Sequence, residues 1–175
     1  EDASKVTNMK EIFSYCKKLQ KVECVKDYDL RNVETLALAF SFCFSLKSID
    51  FLSSWKFKNL KNLYAAFSNC LSIESIECLS NWDVSSVTNI QRMFKRCNGL
   101  TQVKGINNWN ISSVNNMKYL FLLSENVKEI DLSNWKLPKF EFDISLMFEK
   151  CLKKRVFCIC QIYILIILTA LSFLC

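Results

Sequence analysis

The 175-residue sequence contains no histidine, two glycines and one proline. Without histidine there is no imidazole to serve as a general base near neutral pH or to complete a His-containing zinc site. Two glycines exclude a Gly-rich phosphate loop, and the scarcity of both turn residues excludes a loop-rich sandwich or a Gly/Pro linker. Charge of one sign is not in large excess: 23 basic and 17 acidic residues give +6, and Lys153, Lys154 and Arg155 supply half of that in one block. No basic stripe interleaved with aromatics and no nucleic-acid-binding motif is evident, so nucleic acid is not an expected partner. There is no nucleophile motif either, so the chain does not read as an enzyme. Neither a cofactor nor a small-molecule substrate is expected.

What is plentiful is apolar and periodic. Hydrophobic residues make up 51% of the chain, enough for a continuous core and too many for disorder. Phe13, Phe40, Phe67, Phe94, Phe121 and Phe148 follow one another at intervals of 27 residues, which marks six units. Met9, Leu36, Leu63, Ile90, Met117 and Ile144 stand four residues before each phenylalanine. Three residues after it come Cys16, Cys43, Cys70, Cys97, Ser124 and Cys151. A shared phase argues against a disulfide framework or a zinc site and for small buried side chains; the close pair Cys158 and Cys160 lies in an apolar tail. No metal site is expected. Tyr28, Trp55, Trp82, Trp109 and Trp135 complete the unit, and their recurrence points to packing over sugar stacking.

Within Val6–Cys16 the apolar spacing of three and four residues predicts a short helix, with Thr7 or Asn8 as its cap. Ser45–Trp55 carries the Leu-x-x-Ile-x-Phe spacing of a single inward-facing strand. A unit this small cannot bury its apolar face alone, so coils must stack with equivalent residues about 4.8 Å apart, the phenylalanines forming the central ladder. The expected fold is an α/β repeat solenoid: leucine-rich-repeat-like right-handed coils of short helix plus short parallel strand, closed by a C-terminal hydrophobic helix. The expected organisation is residues 1–152 as one array and 153–175 as a basic flank with a transmembrane helix.

The runs SNWDVSSVTNIQRMFKRCNGL (Ser80–Leu100) and NNWNISSVNNMKYLF (Asn107–Phe121) resemble the BspA-like leucine-rich-repeat surface proteins, including the mycoplasma-lipoprotein-type repeat of unknown function. The resemblance extends from about Val6 to Cys151 and is weaker in the first two units, where Tyr28 replaces tryptophan. It implies display on the surface of a bacterium or protist, a role in adhesion or recognition, and no catalytic residues. Two departures stand beside it: the sixth unit dissolves into basic and apolar sequence after Cys151, and no cysteine near the N-terminus sits in a lipoprotein-signal context.

Residues 156–175 form a 20-residue apolar run long enough to span hydrocarbon. A buried capping helix and a removable glycolipid-anchor signal are the alternatives. Lys153, Lys154 and Arg155 before the run place the repeats on the cytoplasmic side by the positive-inside rule, as do unpaired cysteines, whereas the resemblance and the acceptor sequence Asn110-Ile111-Ser112 place them outside. The expected function is a membrane-attached, non-catalytic surface protein that binds protein or a host or cell-surface macromolecule. A cytosol-facing tail-anchored scaffold and a secreted binding module are the rivals. Its expected binding surface is the strand face, at Glu23, Asp50, Glu77, Lys104 and Asp131, where four acids in five suggest a cationic ligand. The same column also reads as a solvated face with counter-charges from Lys47 and Lys128.

Overall fold

Each unit opens on a short polar side chain able to hold a turn. In the computed structural model, which describes residues 3–22 and 28–151, Asn8, Thr35, Asn62, Asn89, Asn116 and Asp143 each accept the backbone N–H of the residue two further on at 2.8–3.1 Å. These are the Asx-type turns that such side chains favour over continued regular structure. The same residues are joined unit to unit by parallel bridges, from Asn8 to Thr35 and so on to Asp143.

Beyond this turn the backbone N–H groups alternate in direction. Leu36, Leu38, Phe40 and Phe42 donate across to the carbonyls of Asn62, Tyr64, Ala66 and Ser68 in the next unit at 2.8–3.0 Å. Ala39, Ser41 and Cys43, between them, donate three residues back within their own unit. The alternation needs left-handed residues: φ is 59° at Leu38 and 62° at Phe42. The same two phases are left-handed in every other unit, at Glu11 and Tyr15, Ala65 and Asn69, Arg92 and Arg96, Tyr119 and Leu123, Leu146 and Lys150. An L-residue loses roughly 1–2 kcal/mol in that conformation, so the hydrogen bonds on either side must hold it there.

These observations correct the expected fold. Among the described residues there is no α-helix, and Val6–Cys16 and its equivalents are runs of tight turns. Apolar residues three and four apart fit consecutive turns as well as they fit a helix, so the periodicity did not separate the two. Asn8 does satisfy an N–H group, but it opens a turn run and caps no helix. The expected strand also fails. In two units its second half is a five-residue 3-10 helix, Asp50–Ser54 and Glu77–Asn81. Regular pairing is confined to β1, Gln102–Val103, and β2, Glu129–Ile130, which are parallel with Gln102 opposite Glu129 and Val103 opposite Ile130. The leucine-rich-repeat-like solenoid of helix plus strand is therefore overturned: turns and irregular backbone make up most of the described residues. Among the described residues no helix is long and apolar enough to cross a membrane. The C-terminal hydrophobic helix expected over residues 156–175, and the transmembrane assignment with it, falls on residues outside those described.

The core is one layer of side chains per unit. Phe13, Phe40, Phe67, Phe94, Phe121 and Phe148 stack in sequence with ring centroids 5.2–5.8 Å apart and interplanar angles of 3–18°. The inner four are fully buried, and the rings at either end are partly so. Leu36, Leu46, Ile49, Leu52 and Trp55 show how one unit fills its layer, all at 0% exposure. Gly99 is required by the close approach of layers, since a Cβ there would come within 2.5 Å of the Ile73 carbonyl oxygen.

Asn69 provides a test of the left-handed turns, because asparagine and glycine tolerate φ of 62° and alanine does not. Asn69→Gly is expected to be more stable than Asn69→Ala by about 1 kcal/mol in urea unfolding, both variants having lost the same hydrogen bond to Ser68. A helix at this position would reverse the order by about 1 kcal/mol.

Candidate functional surface

The acidic column does not form one strand face. Asp50 and Glu77 are the first residues of the two 3-10 helices, whereas Lys104 and Asp131 directly follow β1 and β2. All four are exposed, and Glu23 lies outside the described residues. The acids are engaged locally. Ser48 Oγ donates to Asp50 Oδ2 at 2.8 Å, and the Ser133 N–H donates to Asp131 Oδ1 at 2.9 Å. The side-chain and backbone hydrogen bonds of Ser133 hold the Asp131 carboxyl below the usual carboxylate range. Asp50 and Asp131 thus stabilise the turns they stand in. Among the described residues, no three Cys, Asp or Glu side chains are grouped to hold a metal ion.

The tryptophans are built into the stack. Trp82, Trp109 and Trp135 are buried, and their Nε1 groups donate to the carbonyls of Leu52, Leu79 and Ile106 in the preceding unit at 3.1, 3.0 and 2.6 Å. An indole held this way offers no open face to a sugar. The cysteine phase is likewise a tie between units and more than an apolar filler. Cys43, Cys70 and Cys97 donate from Sγ to the carbonyls of Phe13, Phe40 and Phe67 at 3.0–3.2 Å. Ser124 makes the equivalent bond to Phe94 from its hydroxyl at 2.7 Å, which explains why serine fills that slot. Burial pushes the Cys43 thiol up to about 11 and the Cys97 and Cys151 thiols up to about 12. Cys70 is raised well above its ordinary value for the same reason, so none of these thiols is a nucleophile near neutral pH.

A second surface lies over the turn runs of the fourth and fifth units. Arg92 donates from Nη1 to the Tyr64 hydroxyl at 3.0 Å, and its guanidinium lies 5.1 Å from the centre of the Tyr119 ring. Lys118 sits against the same ring at 5.0 Å. Lys95 and Arg96 flank this group, and burial followed by the charges of Arg92 and Arg96 pulls the Lys95 ammonium below its usual value. This cluster is not contiguous in the sequence. Tyr64, Arg92 and Tyr119 are 28 and 27 residues apart and become neighbours only when the repeat period is folded onto itself. The usable signal was the period, applied to charged residues as well as to apolar ones.

The raised thiols set a direction for stability against pH. A thiol held neutral in the folded chain contributes stability that is complete below its ordinary value of 9.0 and is lost as pH climbs from there toward about 12, because the unfolded chain ionises first. The urea midpoint is expected to fall between pH 8 and pH 10.5, and Cys97→Ser, which retains a donor as Ser124 does, is expected to reduce that fall. A midpoint equally pH-dependent in the variant would mean that Cys97 is not held neutral by burial.

One protein family matches the chain twice in overlapping segments, over residues 1–77 and 62–155, and is described as "Mycoplasma protein of unknown function, DUF285". No curated protein and no solved structure matches it.

Proposed function

We propose, for a chain that belongs to the DUF285 family of mycoplasma proteins of unknown function, that it is a non-catalytic binding module displayed at a cell surface, where it engages a protein or another surface macromolecule. The observation that supports this reading is the use made of the reactive groups. The indoles and thiols of the inner units are spent on bonds between units, and Asp50 and Asp131 of the expected column on local turns. Repetition of this kind produces an extended exposed surface in which each unit adds one row of side chains, an arrangement suited to contact over an area. The relation to BspA-like surface proteins belongs to the same proposal, and it carries the adhesive role.

Unpaired cysteines had favoured a reducing compartment and a cytosol-facing scaffold. Burial weakens that argument, since Cys43, Cys70 and Cys97 are shielded from oxidants and hydrogen-bonded to carbonyls. Surface display is tested by tagging the full gene product in its own cell and treating intact cells with protease. Loss of the repeats without permeabilisation is the expected result, and protection until permeabilisation overturns the surface reading. Binding is tested separately with beads coated with the full chain. Saturable retention on cells or on immobilised extracellular proteins, competed by soluble chain, is expected; retention no greater than that of albumin-coated beads removes the binding role.

A further inference from the structure

Four cations gather on the turn face of two adjoining units, and the charge of Lys118 acts on the nearby Asp143 carboxylate. The ion pairs seen among the described residues are Lys10 with Glu11, Arg31 with Asp29 and Lys61 with Glu34, and none involves Arg92, Lys95, Arg96 or Lys118. Arg92 Nε is buried and has no hydrogen-bond partner among the described residues. Burial, and after it the charges of Arg92 and Arg96, hold the Lys95 ammonium below its usual value. The backbone does not ask for arginine here, either. Arg92 and Arg96 have φ of 58° and 57°, a conformation that glycine or asparagine adopts with less strain, as Asn69 does one unit earlier in the phase of Arg96. The backbone conformation therefore does not account for arginine at these two positions.

We propose that the face formed by Arg92, Lys95, Arg96 and Lys118 binds an acidic segment of a partner protein, a proposal that rests on reading the chain as a binding module. The exposed Arg96 guanidinium presents a planar donor fork that matches a carboxylate, and the Lys95 ammonium beside it adds charge without demanding one geometry. The chemistry of the surroundings selects the class of partner. Arg92 and Lys118 already occupy the Tyr119 ring, and Tyr64 is engaged through its hydroxyl, so the aromatics orient cations and are not free platforms for a base. Leu122 and Leu123, half-buried in the phases that follow Lys95 and Arg96 by 27 residues, border the cations with apolar surface. A polypeptide that mixes acidic and apolar side chains matches both parts of that face. A sulfated polysaccharide or a nucleic acid backbone matches only the charge.

The test uses the full chain and a fluorescently labelled peptide of alternating Glu and Leu, with a Gln and Leu peptide as control, read by anisotropy. The variant Lys95→Gln with Arg96→Asn removes two charges and places asparagine where the backbone is left-handed, so its melting temperature is expected to match or exceed that of the parent. Binding of the acidic peptide is expected to weaken with salt and to be at least tenfold weaker for the variant and for the control peptide. Equal binding by parent and variant overturns the proposal, as does no binding of the acidic peptide at all. Tighter binding of a heparin fragment or of single-stranded DNA than of the peptide also overturns it. Should the variant melt lower, Arg96→Asn alone carries the same comparison. A failure here leaves the adhesive role to stand or fall on the bead experiment.

Discussion

Alternate backbone N–H groups in the turn runs leave their own unit and bond to the next, and the rest of the structure depends on this alternation. It fixes the repeat length, because the donor at one residue must meet the carbonyl 26 residues later in each successive pair, such as Phe40 with Ala66 and Phe67 with Met93. It also imposes two left-handed residues per unit, at a cost of about 2–4 kcal/mol. Four hydrogen bonds between units, at about 1 kcal/mol net each, contribute stability of the same order. The backbone is then close to balanced, and apolar burial decides that the units stack. A phenylalanine ring lying flat on the next at 5.2–5.8 Å is the most direct expression of that burial.

With the backbone so arranged, the polar side chains at several phases recur because each bonds to a backbone group. Asparagine, threonine or aspartate at the start of each unit satisfies an N–H that the alternation does not reach. Cysteine or serine three residues after the phenylalanine donates to the phenylalanine carbonyl of the unit before. The indole Nε1 groups do the same for Leu52, Leu79 and Ile106. A buried polar atom in this chain is therefore usually a tie to the preceding unit, and substituting one removes a bond between units as well as volume.

The period was legible because a ladder of identical side chains needs identical residues at a fixed interval, and Phe13 to Phe148 supplies them. The local conformation was not legible for an equally specific reason. Leu36, Phe40 and Cys43 sit at spacings that an α-helix and a run of turns both bury on one side, and no glycine stands at the left-handed positions to give the turns away. Leu38, Phe42 and Tyr119 are residues that sequence rules assign to helices or strands, and the hydrogen bonds to the next unit override them. The strand expected from Leu46 to Phe51 failed because Asp50 and Glu77 start 3-10 turns, in which side-chain direction no longer alternates. The acidic column was read on the assumption of that alternation, and it lost its common face with it.

Repetition gives every unit the same scaffold, so whatever distinguishes one unit from its neighbours is not explained by the scaffold. The phase of Arg96 runs Tyr15, Phe42, Asn69, Arg96, Leu123, Lys150, and that of Arg92 runs Glu11, Leu38, Ala65, Arg92, Tyr119, Leu146. No chemical type persists along either. These residues stand beside the turns and not in the layer of phenylalanines, so stacking does not require them to be alike. The acids of the expected column show the opposite pattern, recurring where Asp50 and Asp131 each hold a local turn. A side chain that recurs with the period serves the stack first. The cluster around Arg92 is not repeated from unit to unit, is bridged by one hydrogen bond to Tyr64, and leaves a buried donor unmet. Specificity in a repeat protein has to be written at such phases, since they are the ones where a substitution changes what the surface presents without disturbing the bonds that join one unit to the next.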